Sequence, residues 1–197
     1  MEQDRETLCQ VCLLLYQRGY VVSNDGNVSV RIGEDQVLIT PSGVSKGRLT
    51  PDMLVVCDLE GRVLAGHLHP SSESAMHLLV YRERPDVGAV VHAHPPAATA
   101  FSICRRPLAQ HYLTETISGL GEVPVAPFAL PSTSQVPDSL RPYVAGCNGA
   151  CWPTMGPSPG AETSGMPLTG WSRWSRPPRS LPSFTNLEAG WNCHQSR

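Results

Sequence analysis

Two histidines stand one residue apart in the apolar run "VVHAHPPAATAF", residues 90–101. A buried imidazole is costly unless something binds it. In an extended strand side chains alternate faces, so His92 and His94 point the same way, about 6.5–7 Å apart along the backbone. That suits two ring nitrogens meeting one divalent ion at about 2.0–2.1 Å each. It suits equally well two core histidines satisfied by hydrogen bonds. Upstream, "HLHPSSE" puts Glu73 after two serines, in the first turn of an expected helix. Backbone N–H groups and hydroxyls at a helix N-terminus form an anion site that fits phosphate. A carboxylate beside a metal can act as general base, because the ion stabilises the negative charge that proton removal creates. The alternative is a helix cap with a solvated glutamate. Two glycine-containing loops, "SNDGNVSVR" and "TPSGVSKG", adjoin strands and offer amides, Asn27 and Ser42 to phosphate oxygens, although most loops of this composition are turns. His67 and His69 repeat the alternate spacing and are read as loop residues.

The elements that must position these side chains follow from periodicity. A first helix is predicted over about residues 4–18, where Leu8, Val11, Cys12 and Leu15 keep the i, i+3, i+4, i+7 rule of a buried face. This also reads Cys9 and Cys12 as parts of an amphipathic helix rather than a redox or zinc pair. "NVSVRI" and "QVLIT" alternate as strands of a hairpin, and "MLVVCDLEGRVLAG" reads as a second hairpin. "SSESAMHLLVYRER" opens on serine, a good N-cap, and places Met76, Leu79 and Val80 on one helical face. "VGAVVHAH" is then a buried strand, "PPAATAFSIC" a helix that opens with proline, and "GEVPVAPFA" a further strand. The sum is an α/β fold with a sheet flanked by helices.

A chain of 197 residues fits one domain with a proper core. Its net charge of −2 with dispersed Lys and Arg points away from nucleic acid and membrane surfaces as partners. No apolar run nears the roughly 20 residues that span a bilayer, and "MEQDRET" is no signal peptide, so a cytoplasmic location is expected. The division expected is a folded domain over 1–150 and an aberrant tail over 151–197. That tail holds all four tryptophans, and Pro, Gly and Ser interrupt every helix or strand period, as in a disordered segment. It carries four Arg against two Glu, a net +2, which leaves −4 to residues 1–150.

In this order, "GNVSVR", "ITPSG", "HPSSE" and "VVHAHP" resemble the class II aldolase/adducin family, in its L-fuculose-phosphate-aldolase-like branch. The likeness runs from the first helix to about residue 149 and includes "GEVPVAPFA". It implies a central, mostly antiparallel sheet sandwiched by helices, and a homotetramer with active sites near subunit interfaces. It implies zinc-dependent cleavage of a ketose 1-phosphate to dihydroxyacetone phosphate and an aldehyde. By motif, His92 and His94 would be zinc ligands, with Glu73 beside them as a further metal contact and as acid/base. Asn27, Ser42, Gly43, Ser71 and Ser72 would hold the phosphate, and Tyr112, in "QHYL", would lie near the substrate. Zinc would stabilise the enediolate while the loops fix the scissile bond over the metal.

The family's third zinc histidine comes from a downstream "NHG" motif, which this chain lacks; its one histidine after residue 150 is His194. Catalytic zinc normally takes three protein ligands. Codons CTG CTG GCC AAC CAT GGG GCC encode Leu-Leu-Ala-Asn-His-Gly-Ala. Shifted by one base they read TGC TGG CCA ACC ATG GGG CC, which gives the "CWPTMGP" of residues 151–157. The lost histidine codon then straddles Thr154 and Met155. The expectation is that everything after about Ala150 is a frameshifted translation, lacking the C-terminal helices, with weak zinc binding and little lyase activity. The same metal platform serves ketose-phosphate epimerases, a dehydratase and a decarboxylase, and a non-catalytic adducin-like interaction module is the alternative from another class.

Overall fold

The apolar spacing of the first helix acts as predicted. In α1, Glu2–Gln17, the residues Leu8, Val11, Cys12 and Leu15 are all buried. The computed structural model describes residues 1–107, 120–153 and 170–175. Strands β1 (Asn27–Arg31) and β2 (Gln36–Ile39) form the first hairpin, and β3 (Val55–Asp58) with β4 (Val63–Ala65) the second. Helix α2 (Ser74–Glu83), strand β5 (Ala89–Ala93) and helix α3 (Pro96–Ile103) follow. Then come α4 (Gln135–Val144), β6 (Gly149–Trp152) and β7 (Gly170–Ser175). The sheet order is β4-β3-β2-β1-β5-β7-β6, and every pairing is antiparallel.

Strand alternation divides the core in two. Val37 and Val90 join Met76, Leu79, Leu140 and Val144 under α2 and α4, while their neighbours Leu38 and Val91 join Leu8, Val11 and Leu15 under α1. A sheet covered on both faces needs apolar residues at consecutive positions, and "VLI", "VVC" and "AVV" supply them. Toward α2 the same alternation turns Asn27 and Ser29 of β1 and His92 of β5, all three buried. The register pairs Asn27 with His92 and Ser29 with Val90.

Four features differ from expectation. "GEVPVAPFA" forms no strand but an irregular segment that meets the sheet through the isolated bridge Val125–Cys151, since Pro124 and Pro127 lack the N–H a ladder requires. Helix α4 was not predicted. Its Pro137 lies in the first turn, where no intrahelical donor is needed, and Val136, Leu140 and Val144 keep a helical spacing through the second proline, Pro142. Helix α2 starts later than predicted. Its N-cap is Glu73 rather than serine, and the Ser71 hydroxyl accepts the Glu73 N–H at 3.3 Å. Finally, Gly170–Ser175, in the segment expected to lack regular structure, forms a strand in mid-sheet between β5 and β6. The C-terminal helices expected to be lacking would fall in residues outside the described ones. Among the described residues no helix is long and apolar enough to cross a membrane.

Candidate active site

One end of the β1–β5 pair, the loop after β2 and the start of α2 enclose a cavity of about 190 Å³. Asn27, Ser42, Gly43, Ser71, Ser72, Glu73, His92 and His94 all line it. Tyr112 lies outside the described residues. His67 and His69 sit exposed in the loop after β4 and do not line the cavity. Two glycines shape the walls. Gly26 (φ +68°) lies so close to β5 that a Cβ would stand 2.8 Å from the His92 carbonyl oxygen and 2.5 Å from Val21 Cγ1. Gly43 (φ +74°) turns the other loop with open space around it.

Glu73 is the centre of the polar arrangement. Its Oε2 accepts from Asn27 Nδ2 at 2.9 Å and lies 3.6 Å from His92 Nδ1. The adjacent His92 imidazole, then the Asn27 amide, hold the Glu73 carboxyl below the usual carboxylate range, against the opposing effect of burial. Burial in turn pushes His92 down to about 4, so its ring is neutral at neutral pH with a lone pair to offer. The His92 ring meets His94 edge-on, centroids 5.0 Å apart, and Trp152 at 5.1 Å. Asn27, expected only as a phosphate contact, is buried with its side-chain amide engaged at both ends, by Glu73 and by His77 Nε2.

His92 Nδ1 is a buried nitrogen without a hydrogen-bond partner, turned toward Glu73 at the cavity wall. A neutral imidazole with an unused lone pair beside a second histidine and a carboxylate fits zinc. The fit is that of a partial set: among the described residues no three His, Cys, Asp or Glu side chains are gathered as a metal cluster.

Sequence reasoning missed several residues of the site. Lys46 is buried, its ammonium donating to the Asn24 and Val44 carbonyls at 3.0 Å each, and burial lowers its pKa. A lysine in a glycine loop reads as solvated, and only the covering of α1 over that loop removes it from water. Ser132 Oγ donates to Ser72 Oγ at 3.1 Å from across the cavity, and Trp152 closes one wall. His77 and Tyr81 stand behind Glu73 on α2, hidden from view in an apolar pattern. By contrast the thiols of Cys9 and Cys12 are pushed up to about 11 and 12 by burial, Cys12 within the core and Cys9 packed against it.

The family model for the class II aldolase and adducin N-terminal domain matches residues 6–158. The chain belongs to this family. Among class II aldolase relatives, the L-fuculose phosphate aldolase of Escherichia coli is 39% identical over 134 residues, 68% of this chain and 61% of that protein. The corresponding enzyme of Methanococcus maripaludis is 43% identical over 99 residues, 50% of this chain and 53% of that one. The 3-oxo-tetronate 4-phosphate decarboxylase of Haemophilus influenzae is 34% identical over 144 residues, 69% and 66% respectively. The chain therefore spans from about half to just under two thirds of these relatives. A solved L-fuculose 1-phosphate aldolase superposes with a TM-score of 0.75 at 26% identity, covering 90% of this chain and 77% of that one. The Thermus thermophilus L-fuculose-1-phosphate aldolase gives 0.68 at 29% identity, covering 94% and 84%. The class II aldolase fold, an antiparallel sheet between helices, is thus shared.

Proposed function

We propose that residues 1–150 form the substrate-binding and proton-transfer part of a zinc-dependent aldolase of the L-fuculose-phosphate type. The reaction is cleavage of a ketose 1-phosphate to dihydroxyacetone phosphate and an aldehyde. The observation that carries this reading is the convergence of Glu73, His92 and His94 on the cavity that the phosphate-type loops also line. His92 and His94 would hold the ion, and zinc bound there supplies positive charge beside the substrate's carbonyl and hydroxyl oxygens. Glu73, ionised and 3.6 Å from His92, accepts the proton released from the substrate and returns it at the end of the cycle. Ser42, Gly43, Ser71 and Ser72 bind the phosphate at the start of α2, where the helix dipole favours negative charge. The buried Lys46 ammonium adds a fixed cation. Tyr112, by its motif, would act near the substrate, and the active form would be a cytoplasmic homotetramer.

As written, the chain supplies two of the three histidines this chemistry uses, and the segment after about Ala150 reads as a shifted frame. The test compares the full chain with one whose frame is restored to Asn-His-Gly. The full chain should hold well under one zinc and release dihydroxyacetone phosphate near background from a panel of ketose 1-phosphates. The restored chain should hold about one zinc per subunit and turn over. A restored chain that takes up zinc yet yields no dihydroxyacetone phosphate overturns the lyase reading. Release of carbon dioxide from a sugar-acid phosphate would favour the decarboxylase reading, which the 34% identity to the H. influenzae enzyme supports. A non-catalytic adducin-like module is the weaker reading, because such a module has no use for a buried imidazole nitrogen left without a hydrogen bond beside a carboxylate.

A further inference from the structure

From the cavity wall a line of polar groups runs back between α2 and β1, and of these the proposed proton transfer uses Glu73 alone. On α2, Glu73, His77 and Tyr81 recur every four residues; on β1, Asn27, Ser29 and Arg31 recur every two. Four helical residues rise about 6 Å and two strand residues about 6.6 Å, so the two rows stay in register along their contact. Asn27 sits between Glu73 and His77, and Ser29 between His77 and Tyr81. Arg31 donates to the Tyr81 carbonyl at 2.6 Å and lies over its ring.

Chemistry fixes the direction of every hydrogen bond in this row. The Glu73 carboxylate can only accept, so Asn27 presents its NH2 there at 2.9 Å and its Oδ1 to His77. Oδ1 can only accept, so His77 carries its proton on Nε2. Burial pushes His77 down to about 3, leaving one ring proton, so Nδ1 is an acceptor. Ser29 must then donate to Nδ1 at 2.6 Å and take its own hydrogen bond from Tyr81, 2.8 Å away. Tyr81 stays protonated, its pKa raised by burial.

We infer that His77 is a positioning residue: by holding the Asn27 amide in one orientation, it fixes the place and aim of the Glu73 carboxylate. Without the Nε2–H, Asn27 Oδ1 is a buried acceptor with no donor, and the amide gains its second orientation, with oxygen toward the carboxylate. The assignment of proton transfer to Glu73 rests on the proposed function; the hydrogen-bond row does not.

The test uses the full chain with 15N-labelled histidine and asparagine. The parent should show His77 as the Nε2–H tautomer and the Asn27 side-chain NH2 protected from exchange. His77→Leu should lose that protection, and His77→Gln, which keeps an N–H donor at the same reach, should retain it. An unprotected Asn27 amide in the parent, or equal protection in the Leu and Gln variants, overturns the inference. In the frame-restored chain, His77→Leu should lower kcat about 10- to 100-fold with KM within about twofold, and Gln should recover most of the rate. Equal losses in the two variants, or a change in KM alone, also overturn it. If the restored parent is inactive, the lyase reading fails, and the amide protection still decides whether His77 orients Asn27.

Discussion

Glu73 combines one hydrogen bond from Asn27 with a 3.6 Å approach to His92, so removing its charge should cost rate rather than fold. In the frame-restored chain, Glu73→Gln should lower kcat by about 10²–10⁴, the usual contribution of a positioned acid/base, with little change in thermal midpoint. A variant retaining more than about a tenth of the parent turnover would remove Glu73 from proton transfer. Gly26 acts on the same site through the backbone. An alanine there adopts φ +68° and collides with Val21 and the His92 carbonyl, so Gly26→Ala should destabilise by about 2–5 kcal/mol. Gly43→Ala, strained but unobstructed, should cost about 1–2 kcal/mol, and denaturant titration of both variants checks the order. At this scale Glu73, His92 and His94 were legible because their types and spacing are rare in an apolar context. Lys46 and His77 were not, because which polar side chain ends up buried depends on what covers it.

At the scale of elements, the contact of α2 with β1 carries a pH signature. His77 is neutral in the folded chain down to about 3, whereas an unfolded chain protonates it near 6.5. Its folded pKa is depressed, so its contribution is present in full above about 6.5 and lost as pH falls toward 3. Across that window the unfolded state binds the extra proton, and stability falls by about 1.4 kcal/mol per pH unit from this group. His77→Gln has no such titration. Its stability deficit relative to the parent should therefore narrow as pH drops from neutrality to about 5, measured by chemical denaturation. A gap constant across that range would show that His77 is not held neutral by burial. Helix α1, both hairpins and β5 were readable from apolar period, but α4 was hidden by Pro137 and Pro142. "GEVPVAPFA" passed for a strand because its valines alternate, although Pro124 and Pro127 prevent it from joining a ladder.

At the scale of the molecule, the sheet depends on a strand from the anomalous segment. β7 lies between β5, which carries His92, and β6, whose one ladder among the described residues is with β7. Ending the chain after Pro153 would strip the ladder from both and leave β5 as an open edge. The truncated protein should aggregate or unfold well below the full chain in a thermal scan. A midpoint within about 2 °C of the full chain would mean that Gly170–Ser175 contributes no pairing in solution.

Taken by itself, the sequence determined the family, the two-faced sheet and eight of the residues that gather at the cavity. Those depend on local period and on rare side-chain types at set intervals, which survive without knowledge of the partners. Only the tertiary structure decided that Asn27 is spanned by Glu73 and His77, that Lys46 is sealed from water, and that Gly170–Ser175 enters mid-sheet. Each of these is a meeting of segments from 22 to more than 80 residues apart, and the energy of burying a polar group is set by the partner it finds there.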